Sequence, residues 1–307
     1  MATVNTAWDH VSGNIFKTWV IMFLFSIFTV AVIYVIARGF GYGEMGGLGI
    51  VGVALIMAGV MNLVSYYWSD KIVLGISGAK QLAKKDNPEV YRIVENLCIA
   101  AGLPTPRIYI IEDSATNAFA TGRDPKHAAI CFTSGILDKL NKQELEGVTA
   151  HELSHVGNRD TLVMAVVSVL VGTIALLSDF FLRSMFFGGR DRESKNNTIF
   201  IVLAIVAAIL APIVAVLIQL AVSRRREFLA DASGVLLTRY PQGLASALQK
   251  ISSDKEPLEA ANRGTAHLYI INPLKGQEAK AWLAGLFNTH PPIEARIKAL
   301  REMEGKI

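Results

Sequence analysis

The sequence predicts a mainly α membrane protein in which four transmembrane helices carry a split α+β domain with a small β-sheet. Three observations predict it. Four long apolar runs, Trp19–Ala37, Met45–Trp68, Thr161–Leu182 and Thr198–Val222, each come near the ~20 residues that cross hydrocarbon. An even number of crossings returns the amino terminus, residues 69–160 and residues 223–307 to one side, where the two polar stretches can fold together. Within the first of these stretches, apolar periodicity changes from helical to alternating, the mark of strands. Composition agrees: 52% of the 307 residues are hydrophobic and mean hydropathy is +0.39, above the roughly 45–50% apolar content of soluble domains.

The first run is longer than the apolar core of a secretory signal, and no A-x-A-like cleavage site follows Ala37, so it reads as a retained anchor. Gly39–Gly47 is a short Gly-rich hairpin connection to the second run. The third run holds Asp179 and the fourth Pro212 and Gln219, polar or helix-perturbing groups suited to facing a partner helix. The chain thus divides into a transmembrane hairpin (1–68), the first part of the split domain (69–160), a second hairpin (161–222) and the second part of that domain (223–307).

Asn87-Pro88 opens a helix through about Ala101, with Asn as N-cap and Pro at the first helical position. After the Gly102–Pro106 turn, Arg107–Glu112, Thr116–Thr121 and Ala128–Thr133 read as strands. Asn141 and Glu144 match a capping box that starts a helix running through His155. The second stretch reads as helices over Arg225–Thr238, Gln242–Ser252, Glu278–Leu286 and Pro292–Glu304.

A formal charge of +4 and a pI near 9.0 raise the question of nucleic acid, but no basic block is interleaved with aromatics, so no nucleic-acid partner is expected. The charges flank the apolar runs instead. One side holds Lys17, Lys71, Lys80, Lys84, Lys85, Arg159 and Arg224–Arg226; the other holds Arg38, Arg183, Arg190, Arg192 and Lys195. That bias makes the first side, with the split domain, cytoplasmic. Cys98 and Cys131 fall in a predicted helix and strand and form no disulfide framework.

His151-Glu152-Leu153-Ser154-His155 spells HExxH inside a predicted helix, which projects two imidazoles from one face about one turn apart. Zinc suits two imidazoles plus a carboxylate with one position left for water, and Glu152 stands beside the first ligand, ready to take that water's proton. The extended motif that supplies a nearby third ligand needs Gly at 158 and His at 161; the chain has Asn158 and Thr161. The third ligand therefore belongs to a later segment on the same side. Glu227 and Asp231, four apart on a predicted helix, both meet that description: Glu227 can reach the metal while Asp231 braces a ligand imidazole. A pair of solvated acids balancing Arg224–Arg226 fits the same residues. Asp160 is a candidate to orient His151, whereas His10, His127 and His267 read as surface or packing residues.

Asn117-Ala-Phe-Ala-Thr-Gly122, the HExxH segment followed by Asp160, Arg226-Glu-Phe-Leu-Ala-Asp231 and Thr289-His-Pro-Pro292, in this order among four apolar spans, resemble the HtpX-like family of membrane zinc endopeptidases. That family is related to the CAAX-prenyl proteases. The resemblance implies a gluzincin-type catalytic domain with inserted helical hairpins, one Zn2+ per chain, Glu227 as third ligand and Glu152 as general base and acid. It further implies that His290 stabilises the oxyanion and that Asn117 lies on an exposed strand beside the bound peptide. Expected substrates are proteins, chiefly misfolded or damaged proteins of the bilayer, cleaved in quality control under stress at a bacterial-type inner membrane. A prenyl-protein endopeptidase and a non-catalytic zinc-bearing scaffold or chaperone are the competing readings. His155 lies six residues before the third run and Glu227 five after the fourth. If those helices continue into the spans, at ~1.5 Å per residue the metal sits within roughly 10 Å of the membrane surface.

Overall fold

The computed structural model describes residues 7–39, 47–187, 224–261, 264–271, 273 and 291–305. Two long apolar helices open the chain, α1 (Ala7–Gly39) and α2 (Gly47–Ile76). They pack antiparallel: Trp19 stacks on Tyr66, while Asn62 further up α2 donates to the Met22 carbonyl and, at 2.7 Å, to Ser26 Oγ. A third long helix, designated α6 (Asp160–Phe187), lies against both, with Ser65 Oγ donating to the Val166 carbonyl. Ile21, Met22 and Phe25 of α1 interlock with Leu162, Val166, Leu170 and other residues of α6.

The outward faces of α1 and α2 stay apolar: Phe16, Phe23, Ile27, Val53 and Ile56 are all more than half exposed. Contiguous apolar surface of that kind requires a nonaqueous neighbour. Val11–Tyr34 and Val51–Ile76 are long and apolar enough to cross a membrane, and a third crossing results if α6 is counted together with the helix before it. The expected fourth span, Thr198–Val222, lies outside the described residues, as does the expected helix Glu278–Leu286.

The sheet comprises β1 (Lys80–Gln81), β2 (Arg107–Ile111), β3 (Ala118–Thr121) and β4 (Ala129–Thr133), in the order β1-β2-β4-β3. β2 and β4 run parallel, with Ile108 opposite Ile130; β3 returns antiparallel on β4, with Ala118 opposite Phe132. β3 and β4 are buried on both faces, which is why their sequences run nearly continuously apolar rather than alternating. β1, with two residues, and α4 (Ser134–Lys139) are too short to leave a periodic signal and went unanticipated.

Around the sheet lie α3 (Pro88–Ala101), α5 (Lys142–Gly157), α7 (Arg224–Thr238), α8 (Pro241–Ser253) and α9 (Ile293–Glu302). The N-caps are those the sequence predicts: Asn87 Oδ1 accepts from Val90 N, and Asn141 and Glu144 close a reciprocal capping box at 3.0 and 2.8 Å. Gly102 ends α3 in the left-handed conformation at φ 65°, donating back into the last turn. α5 is the central element, buried from Val148 through Val156 and packed by α3, α7 and α8. Two neighbours approach it backbone to backbone. A Cβ on Gly147 would stand 2.7 Å from Leu244 N of α8, and one on Gly234 of α7 would stand 3.0 Å from His151 N.

Candidate metal centre

The close approach at Gly234 brings the first turn of α7 over the HExxH turn of α5. His151 and His155 stand edge to face, ring centroids 4.8 Å apart, each at most 4% exposed. Glu227, 3% exposed, reaches between them, with Oε2 3.8 Å from His151 Nε2 and Oε1 3.6 Å from His155 Nε2. One donor atom from each of the three lies within 4.8 Å of the others.

The hydrogen bonding around these rings tests whether a cation fits. His151 Nδ1 is 2.9 Å from Asp231 Oδ1, and His155 Nδ1 is 3.0 Å from Asp160 Oδ2, so each Nδ1 carries the hydrogen its carboxylate accepts. Both Nε2 atoms are then lone-pair donors, and they face each other at 3.2 Å. Two such lone pairs repel unless a positive charge lies between them. Burial opposes charging His155, but Asp160 and Glu227 push its imidazole up to about 9, while burial holds His151 below its usual value. Two imidazoles fixed by carboxylates and a third carboxylate facing the same point form a donor set for a borderline divalent metal.

Peptidase family M48 matches residues 84–304, nearly three quarters of the chain and all of the elements just described from α3 onward. The chain belongs to peptidase family M48. Its relatives include a protease HtpX homologue of Dictyoglomus thermophilum, 47% identical over 298 residues, covering 97% of this chain and 95% of that protein. Another, from Pyrococcus furiosus, is 46% identical over 267 residues, covering 86% and 90%. Among solved structures, Ste24p of S. mikatae has the same fold, with a TM-score of 0.50 at 18% identity, covering 92% of this chain and 66% of that one. This M48 chain is a metalloprotease, and His151, His155 and Glu227 are its possible metal-binding group among the described residues.

In this M48 peptidase the four carboxylates around the centre divide the work differently from the expectation. Asp160 pairs with His155, not His151. α5 does not continue into α6: the chain turns by 82° between them, with Arg159 in the left-handed region at φ 60°, and the turn folds Asp160 back beneath the nearer imidazole. The assumption of a continuous helix from His155 into the span is therefore wrong. Asp160 is itself held from the membrane side, since Asn14 of α1 donates to its Oδ1 at 2.8 Å and Arg226 Nη1 lies 3.5 Å away. Asp231 braces His151, and its burial at 2% exposure sets aside the solvated-acid reading.

Glu152 is 2% exposed and accepts from the Ala120 N–H of β3; burial pushes its carboxyl up to about 7. Arg296 was missed. Fully buried on α9, it forks onto both Asp231 oxygens at 2.8 and 2.7 Å, lies 3.4 Å from Glu227 Oε2 and donates to the Ile270 carbonyl. The available signal was a cation on the apolar face of its helix, in line with Ile293, Ile297 and Leu300.

Asn117 does not lie on an exposed strand. It is 3% exposed, its Nδ2 donates to the Ile271 carbonyl, and Ile270 N donates to the Ala118 carbonyl at 3.0 Å. The free edge of β3 is thus covered by the chain's own segment 268–271, with Tyr269 packed edge-on against Phe119. Of the remaining histidines, His267 is buried against Ser168 and the Met164 carbonyl, a packing role, and His127 lies at the surface against Asp124. His290 lies outside the described residues.

Proposed function

We propose that the chain is an integral-membrane zinc endopeptidase in which His151, His155 and Glu227 hold one Zn2+. The observation that carries this reading is the pair of buried Nε2 lone pairs facing each other beside Glu227, with Glu152 next to them. When bound, the metal supplies Lewis-acid polarisation of the scissile carbonyl and acidification of water. Asp231 and Asp160 hold the two imidazoles in the tautomer that presents Nε2. Arg296 keeps Asp231 ionised and in place. Glu152 takes the proton of the water that attacks the carbonyl carbon and returns it to the amine nitrogen as the peptide bond breaks. A carboxyl raised toward neutrality by burial is suited to both transfers. His290 is proposed as the group that stabilises the developing oxyanion.

Asn117 and Ala118 belong to the strand edge on which a substrate backbone pairs. Segment 268–271 occupies that edge in the structure, so substrate entry in this reading requires its departure.

Substrates are proposed to be misfolded or damaged membrane proteins, cleaved near the cytoplasmic surface by a domain split around transmembrane hairpins at about 1–68 and 161–222. The contact of α1 with the centre supports this siting. Asn14, which bonds Asp160, precedes Trp19 by five residues, about 7.5 Å along the helix. The test is cleavage of casein and of a denatured membrane protein by detergent-purified wild type and Glu152→Gln, with bound zinc measured in both. Zinc in both with cleavage only in wild type is expected. Equal cleavage, or zinc-loaded wild type without cleavage, would sink the peptidase assignment of these residues; cleavage confined to prenylated carboxy-terminal peptides would overturn the proposed substrates.

A further inference from the structure

Trp19, Tyr66, Tyr67 and Trp68 form one continuous aromatic band, with ring centroids 5.9, 5.1 and 6.1 Å apart in succession. The band marks the level where the first apolar run begins and the second ends. Amphipathic rings collect at such a level, the boundary between hydrocarbon and water. Immediately past it opens a cavity of about 530 Å³, walled by Tyr67 and Trp68 and lined by Lys71, Arg107, Arg123 and Lys126 against a single carboxylate, Asp70.

The two arginines are fixed in place. Arg107 is held by Asp70, and Arg123 sits 5.3 Å over the Tyr67 ring, donates to the Tyr67 carbonyl and has Nε 3.5 Å from Asp124. The two lysines are exposed and have no ion-pair partner among the described residues. An aromatic wall at the membrane boundary with uncommitted cations one turn beyond it matches an anionic lipid, whose phosphate sits just outside its acyl chains. A free phosphate would use the cations and leave the aromatic wall without a role.

We propose that this cavity binds the phosphate headgroup of an anionic phospholipid. The lining comes from both halves of the molecule: Tyr67 and Lys71 from α2, Arg107 from the start of β2, and Arg123 and Lys126 from the turn after β3. A bound lipid therefore adds to the direct contacts that already join the catalytic half to the membrane hairpin, Asn14–Asp160, Asp70–Arg107 and Tyr67–Arg123, and fixes its height over the bilayer. This inference rests on the membrane placement proposed above and is independent of the assigned chemistry.

The experiment uses the full chain reconstituted in vesicles of equimolar phosphatidylglycerol and phosphatidylcholine, extracted gently, with co-purifying lipid measured by native mass spectrometry. Wild type and a control, Lys85→Gln/Lys298→Gln, should both retain phosphatidylglycerol preferentially, and Lys71→Gln/Lys126→Gln should lose that preference by on the order of tenfold. Casein cleavage by all three reports that each is folded. Millimolar inorganic phosphate should leave the retained lipid in place. Equal retention by wild type and the cavity variant would overturn the inference, as would an equal loss in the control or displacement of the lipid by phosphate. Release of wild type from membranes by alkaline carbonate would instead bring down the membrane placement, and this inference with it.

Discussion

The α1–α2 hairpin and the half of the molecule built on α5 are inverted relative to each other. In the hairpin, Phe16, Phe23, Ile27, Val53 and Ile56 point outward, and the buried polar groups include small hydroxyls bonded to helix carbonyls, such as Thr18 and Ser65, while Asn14 and Asp70 lie at the seam and bond Asp160 and Arg107 of the other half. Around α5, Asp160, Glu152, Glu227, Asp231 and Arg296 lie inside, each at most 3% exposed. The first arrangement needs lipid to be stable. The second needs each charge to find its opposite, because an unpaired charge in such an interior costs several kcal/mol. The difference shows where the chain commits its stability to function: among the described residues the buried ionised groups cluster in the second half, around the centre.

The largest expected effect leaves that ionic core intact and removes one proton acceptor. Glu152→Gln should lower peptidase turnover by about 10²–10⁴-fold while metal content and melting temperature stay near wild type. Loss of the metal together with activity would instead show that Glu152 is part of the ion network rather than its user.

Arg296→Met breaks the comparison directly, since it puts an apolar side chain where the hairpin would have one. It strands Asp231 and Glu227 beside each other without their cation, and a loss of about 3–5 kcal/mol is expected, read as a lower denaturation midpoint. Restoring balance with Asp231→Leu in the same chain should recover part of that stability but not metal binding. If the single variant melts like wild type, the buried fork onto Asp231 is not holding the centre.

Asp160→Asn probes the seam between the two regions. It keeps a side chain for Asn14 to meet but weakens the acceptor for His155 Nδ1, so metal affinity should fall roughly 10–100-fold, measured by competition with a chelator. Hydrogen exchange of the α1–α2 hairpin should hardly change, because its packing against α6 rests on Met22, Phe25 and Leu170 rather than on this contact.

The inversion also explains what the sequence revealed. Hydropathy exposed α1 and α2 because lipid-facing surfaces are apolar throughout, and HExxH exposed α5 because two ligands sit one turn apart on one helix. The caps at Asn87 and Asn141 were legible because they satisfy backbone donors locally. Arg296 and the partner of Asp160 were not: one is set by α9 lying across α7, the other by an 82° turn after Gly157 that breaks the expected helix. Segment 268–271 carries no period of two or 3.6, so nothing local showed that it would close the edge of β3 and bury Asn117.

Acid should separate the two halves, with the smallest effect traceable to one residue. Burial by itself would raise the Glu144 carboxyl, but Lys250 at 2.7 Å, Ser246 Oγ at 2.6 Å and the Asn141 N–H hold it below its ordinary value. A depressed folded-state pKa means the ionised group stabilises the fold fully above the unfolded value, about 4.3 for a glutamate, and that this stability is lost as pH falls through the lower folded value. Asp254, held down against burial by Lys139 and Thr116, behaves in the same sense. The difference in melting temperature between wild type and Glu144→Gln should therefore be constant from neutral pH to about 5 and shrink below about 4. The α1–α2 hairpin, whose two helices hold each other by ring stacking and neutral hydrogen bonds, should keep its helical signal while α5 and its neighbours loosen. A difference unchanged at the acid end would mean that Glu144 stabilises the start of α5 by packing and capping rather than by its charge.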